Sequence, residues 1–519
     1  MRLHDHLDFH ARRTPEAPFA LFRGQTVSYA EARDQANRIA QALHAGGLGA
    51  GDRAAILAKN SVEHMLFYYG CSKAGVVAVP LNYRLAPPEW QYILGDAGAK
   101  LLVARGELVD AIDSVRAELK GVERCVAVEA PARSGWETWS EWLDGQPSKA
   151  PPGPSDDSVD VYQMYTSGTT GRPKGAILTH RAVTANVVQL SGLLWLQPGD
   201  RYQIVAPVYH AAAAVAAFWT VSAGGCLYLL EDFDPAEVVR TLAEEQLVAS
   251  TLVPAMIQAC LVFVPDIDKY SFETLKLLVY GASPIAEETL RRALEVFGCD
   301  FSQGYGMTES TAALTFLLPE DHESALAGRS ELLLSAGRPL VGTEVRIVDE
   351  RDNPVPSGSV GEITARGPQL MRGYWNLEEA TAKTLAGGWL HTGDAGYLDD
   401  DGYLFIQDRV KDMIVSGGEN VYPREVEDVL FQHPAVADAA VIGIPSDEWG
   451  EAVKAIVVLR EGATADADEL IEHCRTRLAG FKRPRSVDFA DALPRNPSGK
   501  VLKKNLREPY WVGHSRRVS

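Results

Sequence analysis

The chain has 519 residues, 46% hydrophobic and 23% charged, an ordinary globular balance with length enough for three or four compact units and an ample core without disulfide or metal staples. Lys and Arg total 50 against 69 Asp and Glu, a net charge of −19. That argues against a nucleic-acid coat or a polybasic grip on anionic lipid, both of which draw their affinity from cations on phosphates.

The N-terminus, MRLHDHLDFHARRTPEAPFAL, has no apolar core of a secretory signal. Its three histidines lack the carboxylate or Cys cluster of a metal site. Next comes an alternation of short apolar runs and helix-period segments: a strand over Arg53 to Leu57, a helix over Val62 to Ala74, a strand over Val76 to Leu81, a helix over Pro87 to Ala97 and a strand over Lys100 to Ala104. The connector Gln146 to Asp157, QPSKAPPGPSDD, is rich in Pro, Gly, Ser and Asp and separates this lobe from the next. The plan then repeats: strand Gln203 to Ala206, helix Ala211 to Ala223, strand Cys226 to Leu230, helix Pro235 to Glu245, strand Val248 to Val253. Such alternation predicts βαβ units and two parallel-sheet lobes related at the level of fold.

The uncharged stretch Ala211 to Leu230 has nominal membrane length. Thr220, Ser222 and Gly224-Gly225 interrupt it, so a buried helix followed by a strand is expected. From about Gly337 to Gln407, alternating runs at Glu344 to Val348 and Glu362 to Ala365, with turn signals such as Asp401-Gly402, predict a small antiparallel barrel or sheet. After Asp408, segments Glu425 to Phe431, Ala439 to Ile444, Val453 to Leu459 and Ala467 to Leu478 predict a small α+β unit. The fold class is thus α/β: a large N-terminal domain (1–408) of two lobes plus a β-barrel subdomain, and a small mobile C-terminal domain (409–519). The cysteines Cys71, Cys125, Cys226, Cys260, Cys299 and Cys474 are scattered singly and read as buried thiols.

Tyr165 to Gly175, YTSGTTGRPKG, is the most informative stretch. Its glycines let consecutive backbone N–H groups turn toward one anion, its hydroxyls add neutral donors, and Lys174 adds a point charge. This is a polyphosphate cradle. It is not a Walker A loop, because Pro173 stands five residues after Gly168.

The string resembles the phosphate loop of the adenylate-forming superfamily, which holds acyl-CoA synthetases, beetle luciferases and peptide-synthetase adenylation domains. Further signatures follow in order: GYGMTE (Gly304 to Glu309) is similar to the adenine and magnesium motif, HTGD (His391 to Asp394) to the ribose motif, DRVKDMIVSGGENVYPREVE (Asp408 to Glu427) to the hinge motif, and PRNPSGK (Pro494 to Lys500) to the catalytic-lysine motif. The resemblance covers essentially the whole chain. It implies a two-step reaction with ATP, Mg²⁺ and coenzyme A, in which a carboxylate attacks the α-phosphorus of ATP and a thiol then displaces AMP.

The resemblance also implies roles. Lys500 contacts the carboxylate and the α-phosphate. Glu309 is the magnesium ligand, a hard oxygen donor suited to that ion, and Thr308 bonds the α-phosphate. Thr166, Ser167, Gly168, Thr169, Thr170 and Gly171 cradle the triphosphate with Lys174. Adenine lies between the Gly304-Tyr305-Gly306-Met307 segment and Gly281-Ala282-Ser283. Asp394 and Arg409 fix the ribose hydroxyls. Lys411 is the hinge about which the small domain turns, exchanging Lys500 for a thiol channel lined by Ser416, Gly417, Gly418, Glu419 and Trp449. His210 flanks the carboxylate pocket and orients the acyl group.

The expected pocket walls run from His210 onward and through Tyr280 to Pro284, Gln303 to Gly306 and Ser310 to Leu314. They are small or apolar and hold no Asp for an ammonium group, which disfavours an amino acid. The overall pattern looks closest to bacterial medium- or long-chain fatty acyl-CoA synthetases. The alternative is an aryl-acid ligase of the coumarate, ferulate or benzoate type, and behind it a non-catalytic acyl-AMP-binding protein. No GxSxG elbow occurs, which argues against a serine hydrolase. The expected setting is cytoplasmic, stand-alone and without a transmembrane segment. Its partners are small molecules, not nucleic acid, with a homodimer left open.

Overall fold

A computed structural model describes residues 1–166, 172–283, 285, 287–409, 412–416, 419–446, 448–495 and 501–512, with the backbone alone at Asp408, Arg409 and Asn420. Two large sheets form the body. In the first, the strands Val77–Leu81, Arg53–Leu57 and Ala99–Arg105 lie side by side in parallel. In the second, Cys226–Leu229, Arg201–Ile204 and Leu247–Thr251 repeat that order. Each unit places its first strand in the middle, its second on one side and its third on the other; two parallel lobes alike in fold are what the paired sequence pattern predicts, and the strand order is what the structure adds.

The helices inside these units follow from local signals. Val62–Ala74 starts at Ser61, whose hydroxyl accepts the His64 N–H, and stops at Gly75 with φ +72°, a left-handed cap that suits glycine. From Met65 to Ala74 every residue is buried, so the helix is a core element rather than an amphipathic surface one. Its counterpart Ala211–Ser222 is likewise buried almost throughout. The two meet where the Tyr68 and Phe218 rings pack edge-on at 5.4 Å. The run Ala211 to Leu230 is therefore a helix and a strand, and no helix among the described residues is long and apolar enough to cross a membrane.

Two hairpins cross between the lobes. The hairpin of Pro18–Phe22 and Gln25–Ser28 joins the second sheet, pairing Ala20 with Leu227. The hairpin of Asp160–Thr166 and Lys174–Thr179, which follows the connector, joins the first sheet beside Val77–Leu81. The connector is therefore not the boundary between sheets that its composition suggests. The crossings lock the lobes together, and Asn60 adds a buried clamp: its amide donates to the carbonyls of Ala206 and Leu230 and accepts from Val208 N–H.

The strands Glu344–Val348, Gly361–Arg366, Leu390–Leu398 and Leu404–Arg409 form an antiparallel four-stranded half-barrel. The C-terminal unit carries a five-stranded sheet built on the long hairpin of Val436–Ser446 and Gly450–Leu459, with the helices Pro423–Phe431 and Ala467–Arg475. Among the described residues, no hydrophobic cluster draws side chains from both 1–409 and 412–512. The described cysteines are all free, and all but Cys299 are buried.

Candidate active site

The site lies at the carboxyl ends of the strands of both sheets, where open parallel sheets expose strand ends and loop backbone to a ligand. Asp160–Thr166 and Lys174–Thr179 run antiparallel and pair Thr166 with Lys174. The two residues flanking the expected phosphate loop are thus neighbours. Ser167, Gly168, Thr169, Thr170 and Gly171 lie outside the described residues.

Aromatic side chains brace the stem of this loop. Tyr165 donates to Asp96 Oδ2 at 2.6 Å, Tyr92 donates to the Pro173 carbonyl at 3.2 Å, and the Arg172 guanidinium lies 5.1 Å from the Tyr92 ring centre. Burial and the Asp96 carboxylate push the Tyr165 hydroxyl's pKa up, so it stays a neutral donor.

Leu277–Gly281 and Asp300–Tyr305 bring the expected adenine segments side by side, with Gly281 paired to Gly304. A Cβ on Gly281 would stand 2.2 Å from the Gly304 carbonyl oxygen, and one on Gly306 would stand 2.2 Å from that of Ala312. Backbone meets backbone at both places, and only glycine fits. Ala282 follows with φ +64° and is exposed, while Ser283 is half-buried. Met307 leads into a short 3₁₀ turn, Thr308–Ser310, where Ser310 Oγ bonds the Met307 backbone. Thr308 is half-buried and Glu309 only 5% exposed.

The ribose motif sits on the half-barrel. Tyr305 donates to Asp394 Oδ2 at 2.8 Å, and the backbone register pairs Asp394 with Arg409. The expected adenine and ribose residues are therefore joined by a hydrogen bond. Glu362 holds the motif in shape by accepting Gly393 N–H at 3.0 Å and bonding His391 Nδ1 at 2.9 Å.

Glu309 meets the phosphate loop through a residue the sequence reading passed over. Tyr374 donates to Glu309 Oε1 at 2.6 Å, and Lys174 Nζ lies 4.8 Å from the centre of the same ring. The strand Gly373–Tyr374 pairs with the one that begins at Lys174. Met371 N–H bonds the Glu309 carbonyl and Trp375 N–H that of Gly175, so one segment stitches both motifs together. Among the described residues no group of three His, Cys, Asp or Glu could hold a metal ion. A lone buried carboxylate beside a phosphate cradle is a donor set that fits Mg²⁺, which keeps several waters and takes phosphate oxygens.

His210 caps the helix Ala211–Ser222. Burial, then the nearby Arg84 cation, lowers its pKa to about 4, so the ring is neutral at pH 7. Among the described residues its Nε2 has no hydrogen-bond partner. The alanines that follow mostly pack helix against sheet: Ala211, Ala213 and Ala214 are buried, and Ala212 is exposed. Tyr280 also points into the core, its hydroxyl bonded to His322 Nε2 at 2.9 Å. Of the alanines and glycines expected in the pocket walls, Ala212, Gly281, Ala282, Gly304, Gly306 and Ala312 are the ones not buried.

In the C-terminal unit, Ser416 pairs with Glu419 and with Gly450. This register brings the SGGEN hairpin beside the turn carrying Trp449, whose ring lies under the Arg485 guanidinium at 4.4 Å. Ser416 is buried, Glu419 exposed and Trp449 half-buried. Gly417, Gly418, Lys411 and Lys500 lie outside the described residues, as does the side chain of Arg409.

Comparison with known proteins agrees with this geometry. A family model described as AMP-binding enzyme matches residues 7–375, and one described as AMP-binding enzyme C-terminal domain matches 425–500. A fatty acid–[acyl-carrier-protein] ligase of Streptomyces coeruleorubidus is 39% identical over 98% of this chain and 97% of its own. A feruloyl-CoA synthase of an Amycolatopsis species is 39% identical over 96% of this chain and 97% of its own. The structure of o-succinylbenzoate CoA synthetase from Bacillus subtilis, in complex with its acyl-adenylate intermediate, has a TM-score of 0.84 at 31% identity, covering 96% of this chain and 97% of that one. The chain belongs to the AMP-binding enzyme family and is an AMP-forming ligase of the adenylate-forming superfamily.

Proposed function

We propose that the protein is an ATP- and CoA-dependent acid–thiol ligase that converts a medium- or long-chain fatty acid to its acyl-CoA through an acyl-adenylate. The observation that carries this reading is the meeting of Lys174, Tyr374 and Glu309, with Tyr305, four residues before Glu309 in the chain, bonded to Asp394. That spacing of a cation, a buried carboxylate, an aromatic ring and a diol acceptor suits ATP.

In the first step a carboxylate oxygen forms a bond to the α-phosphorus and the bond to pyrophosphate breaks. An anion must approach a polyanion, so neutralisation dominates the barrier. Lys174, Thr166 and the loop 167–171 hold the triphosphate, while Thr308 and Lys500 bond the α-phosphate. Glu309 would hold Mg²⁺, which when bound neutralises phosphate charge. Asp394 and Arg409 fix the ribose. In the second step the thiolate of CoA bonds the acyl carbon, and AMP leaves with the oxygen that the carboxylate supplied. Lys411 is the hinge for the swing between steps, at the boundary of 1–408 and 409–519, and the separate hydrophobic clusters on either side support that boundary. Ser416, Gly417, Gly418, Glu419 and Trp449 then line the thiol path.

His210 orients the acyl group. An imidazole whose pKa falls to about 4 is too weak a base to carry the thiol proton, and a free thiol near pKa 8.5 is already a few per cent thiolate at neutral pH. The small walls admit an apolar chain, each buried methylene of which contributes about 0.8 kcal/mol. An aryl acid is the second reading, favoured by the feruloyl-CoA synthase match at 39% identity. The reading places the enzyme in the cytoplasm, where ATP and CoA are pooled, and a homodimer is consistent with it. Incubation with ATP, magnesium, CoA and a panel of aliphatic and aryl acids, with pyrophosphate and thioester measured, tests it. Pyrophosphate and thioester should peak with C8–C18 fatty acids, and a peak with aryl acids selects the second reading. No pyrophosphate with any acid defeats both.

A further inference from the structure

We propose that Tyr374 is a positioning residue which sets the carboxylate of Glu309 and ties it to Lys174, so that the magnesium-type ligand and the phosphate-loop cation act as one unit. The inference rests on the function proposed above and goes beyond it, because the five motifs that carry that reading do not include the segment Met371 to Trp375.

Three observations support it. Glu309 is 5% exposed, and a buried carboxylate needs its charge met by donors. The Tyr374 hydroxyl is such a donor at 2.6 Å, within the range of a short charge-assisted bond. By engaging Oε1 it fixes the rotation of the carboxylate and so the orientation of Oε2. The same ring faces the Lys174 ammonium at 4.8 Å, inside the reach of a cation–π contact. The backbone on which Tyr374 stands is itself fixed. Met371 N–H bonds the Glu309 carbonyl at 2.8 Å, Arg372 N–H bonds Ile177 and Trp375 N–H bonds Gly175, and Tyr374 N–H bonds Thr381 Oγ1 at 2.9 Å. Arg372 adds a bidentate ion pair with Asp160, on the strand one beyond Lys174–Thr179. A tyrosine on a segment held by four backbone N–H bonds and in contact with both charged groups is built to set their separation.

The test separates the hydroxyl from the ring. Tyr374→Phe keeps the ring beneath Lys174 and removes only the donor, and Tyr374→Leu removes both. Binding of ATP is followed by calorimetry with and without magnesium, alongside pyrophosphate release against magnesium concentration. For Tyr374→Phe we expect the half-saturating magnesium concentration to rise about tenfold, the size of one hydrogen bond to a charged group. The magnesium-dependent tightening of ATP binding falls with it, while metal-free AMP binding stays as in the wild type. Tyr374→Leu should in addition weaken metal-free ATP binding. Glu309→Gln should reproduce the loss of magnesium dependence, and adding Tyr374→Phe to it should cause little further change, since the tyrosine acts through that carboxylate. An unchanged magnesium dependence in Tyr374→Phe, or additive losses in the double variant, overturns the inference. A wild-type protein that releases no pyrophosphate with any acid defeats the proposed function instead, and the calorimetric comparison still reads the tyrosine–glutamate pair.

Discussion

The body and the C-terminal unit hold their expected functional residues in opposite ways. In the body, Tyr305, Asp394, Tyr374, Glu309 and Lys174 are cross-braced by hydrogen bonds and a ring contact that join both large sheets to the half-barrel. In the C-terminal unit, local pairs such as Lys503 with Glu427 and Arg507 with Asp412 tie the unit to itself, around its own hydrophobic clusters. A cleft that must hold a nucleotide through two chemical steps gains from rigidity. In the proposed cycle, a unit that presents different groups in turn gains from a core of its own, with the φ/ψ change absorbed by a few residues at the joint.

Variants on the two sides should therefore fail differently. The largest effect belongs to Lys500→Ala, which should lower adenylate formation at least about a hundredfold, as loss of a transition-state donor does, and spare thioester formation from supplied acyl-AMP. Equal loss of both half-reactions breaks the contrast. Lys411→Pro should show the reverse split, with thioester formation down about tenfold and pyrophosphate release kept, because a proline fixes φ at the joint. Thioester formation at the normal rate would remove the hinge. Asp394→Asn sits in the cross-braced body and should touch both halves, weakening ATP and AMP binding about ten- to a hundredfold, in line with roughly 1.5–3 kcal/mol for a hydrogen bond to a charged group. Calorimetric titration of AMP against wild type and variant measures it.

The last contrast concerns stability. Burial lowers His4 to about 3 and His6 and His180 to about 4. The Lys73 and Arg2 cations and His180 add to this for His4, and Arg2 and the N-terminal ammonium for His180, with Asp5 opposing each shift. These rings are neutral in the folded body and take up protons in the unfolded chain below about pH 6.5. Stability from them is fully present above pH 6.5 and falls toward pH 4, by up to about 1.4 kcal/mol per pH unit for each ring. Thermal melts at pH 7.5 and 5.0 should show the body losing stability. His180→Gln, which removes a ring accepting Leu3 N–H at 3.1 Å, should flatten the change. A pH-independent melt would mean the N-terminal helix is not held by neutral rings.

What the sequence made legible was local. The helices Val62–Ala74 and Pro87–Ala97 fall where they are predicted, because Ser61 and Pro87 start them and Gly75 and Gly98 stop them within the same few residues. The five motifs also announce themselves, since a phosphate cradle or a ribose acceptor needs particular side chains at fixed spacing. The exchanged hairpins were not legible, because Ala20 finds its partner at Leu227 and no local pattern records a pairing across the chain. Tyr374 and Glu362 were missed for the same reason. Each looks like an ordinary strand residue until the fold sets it against Glu309 or the HTGD turn.

The central claim, that a carboxylate oxygen bonds the α-phosphorus before a thiol takes the acyl group, is tested most directly by isotope transfer. The enzyme is given a fatty acid labelled with ¹⁸O in both carboxylate oxygens, together with ATP, magnesium and CoA, and the nucleotide product is weighed by mass spectrometry. The account predicts AMP carrying one ¹⁸O for each thioester formed. Unlabelled AMP, or ADP with the label in inorganic phosphate, would contradict it.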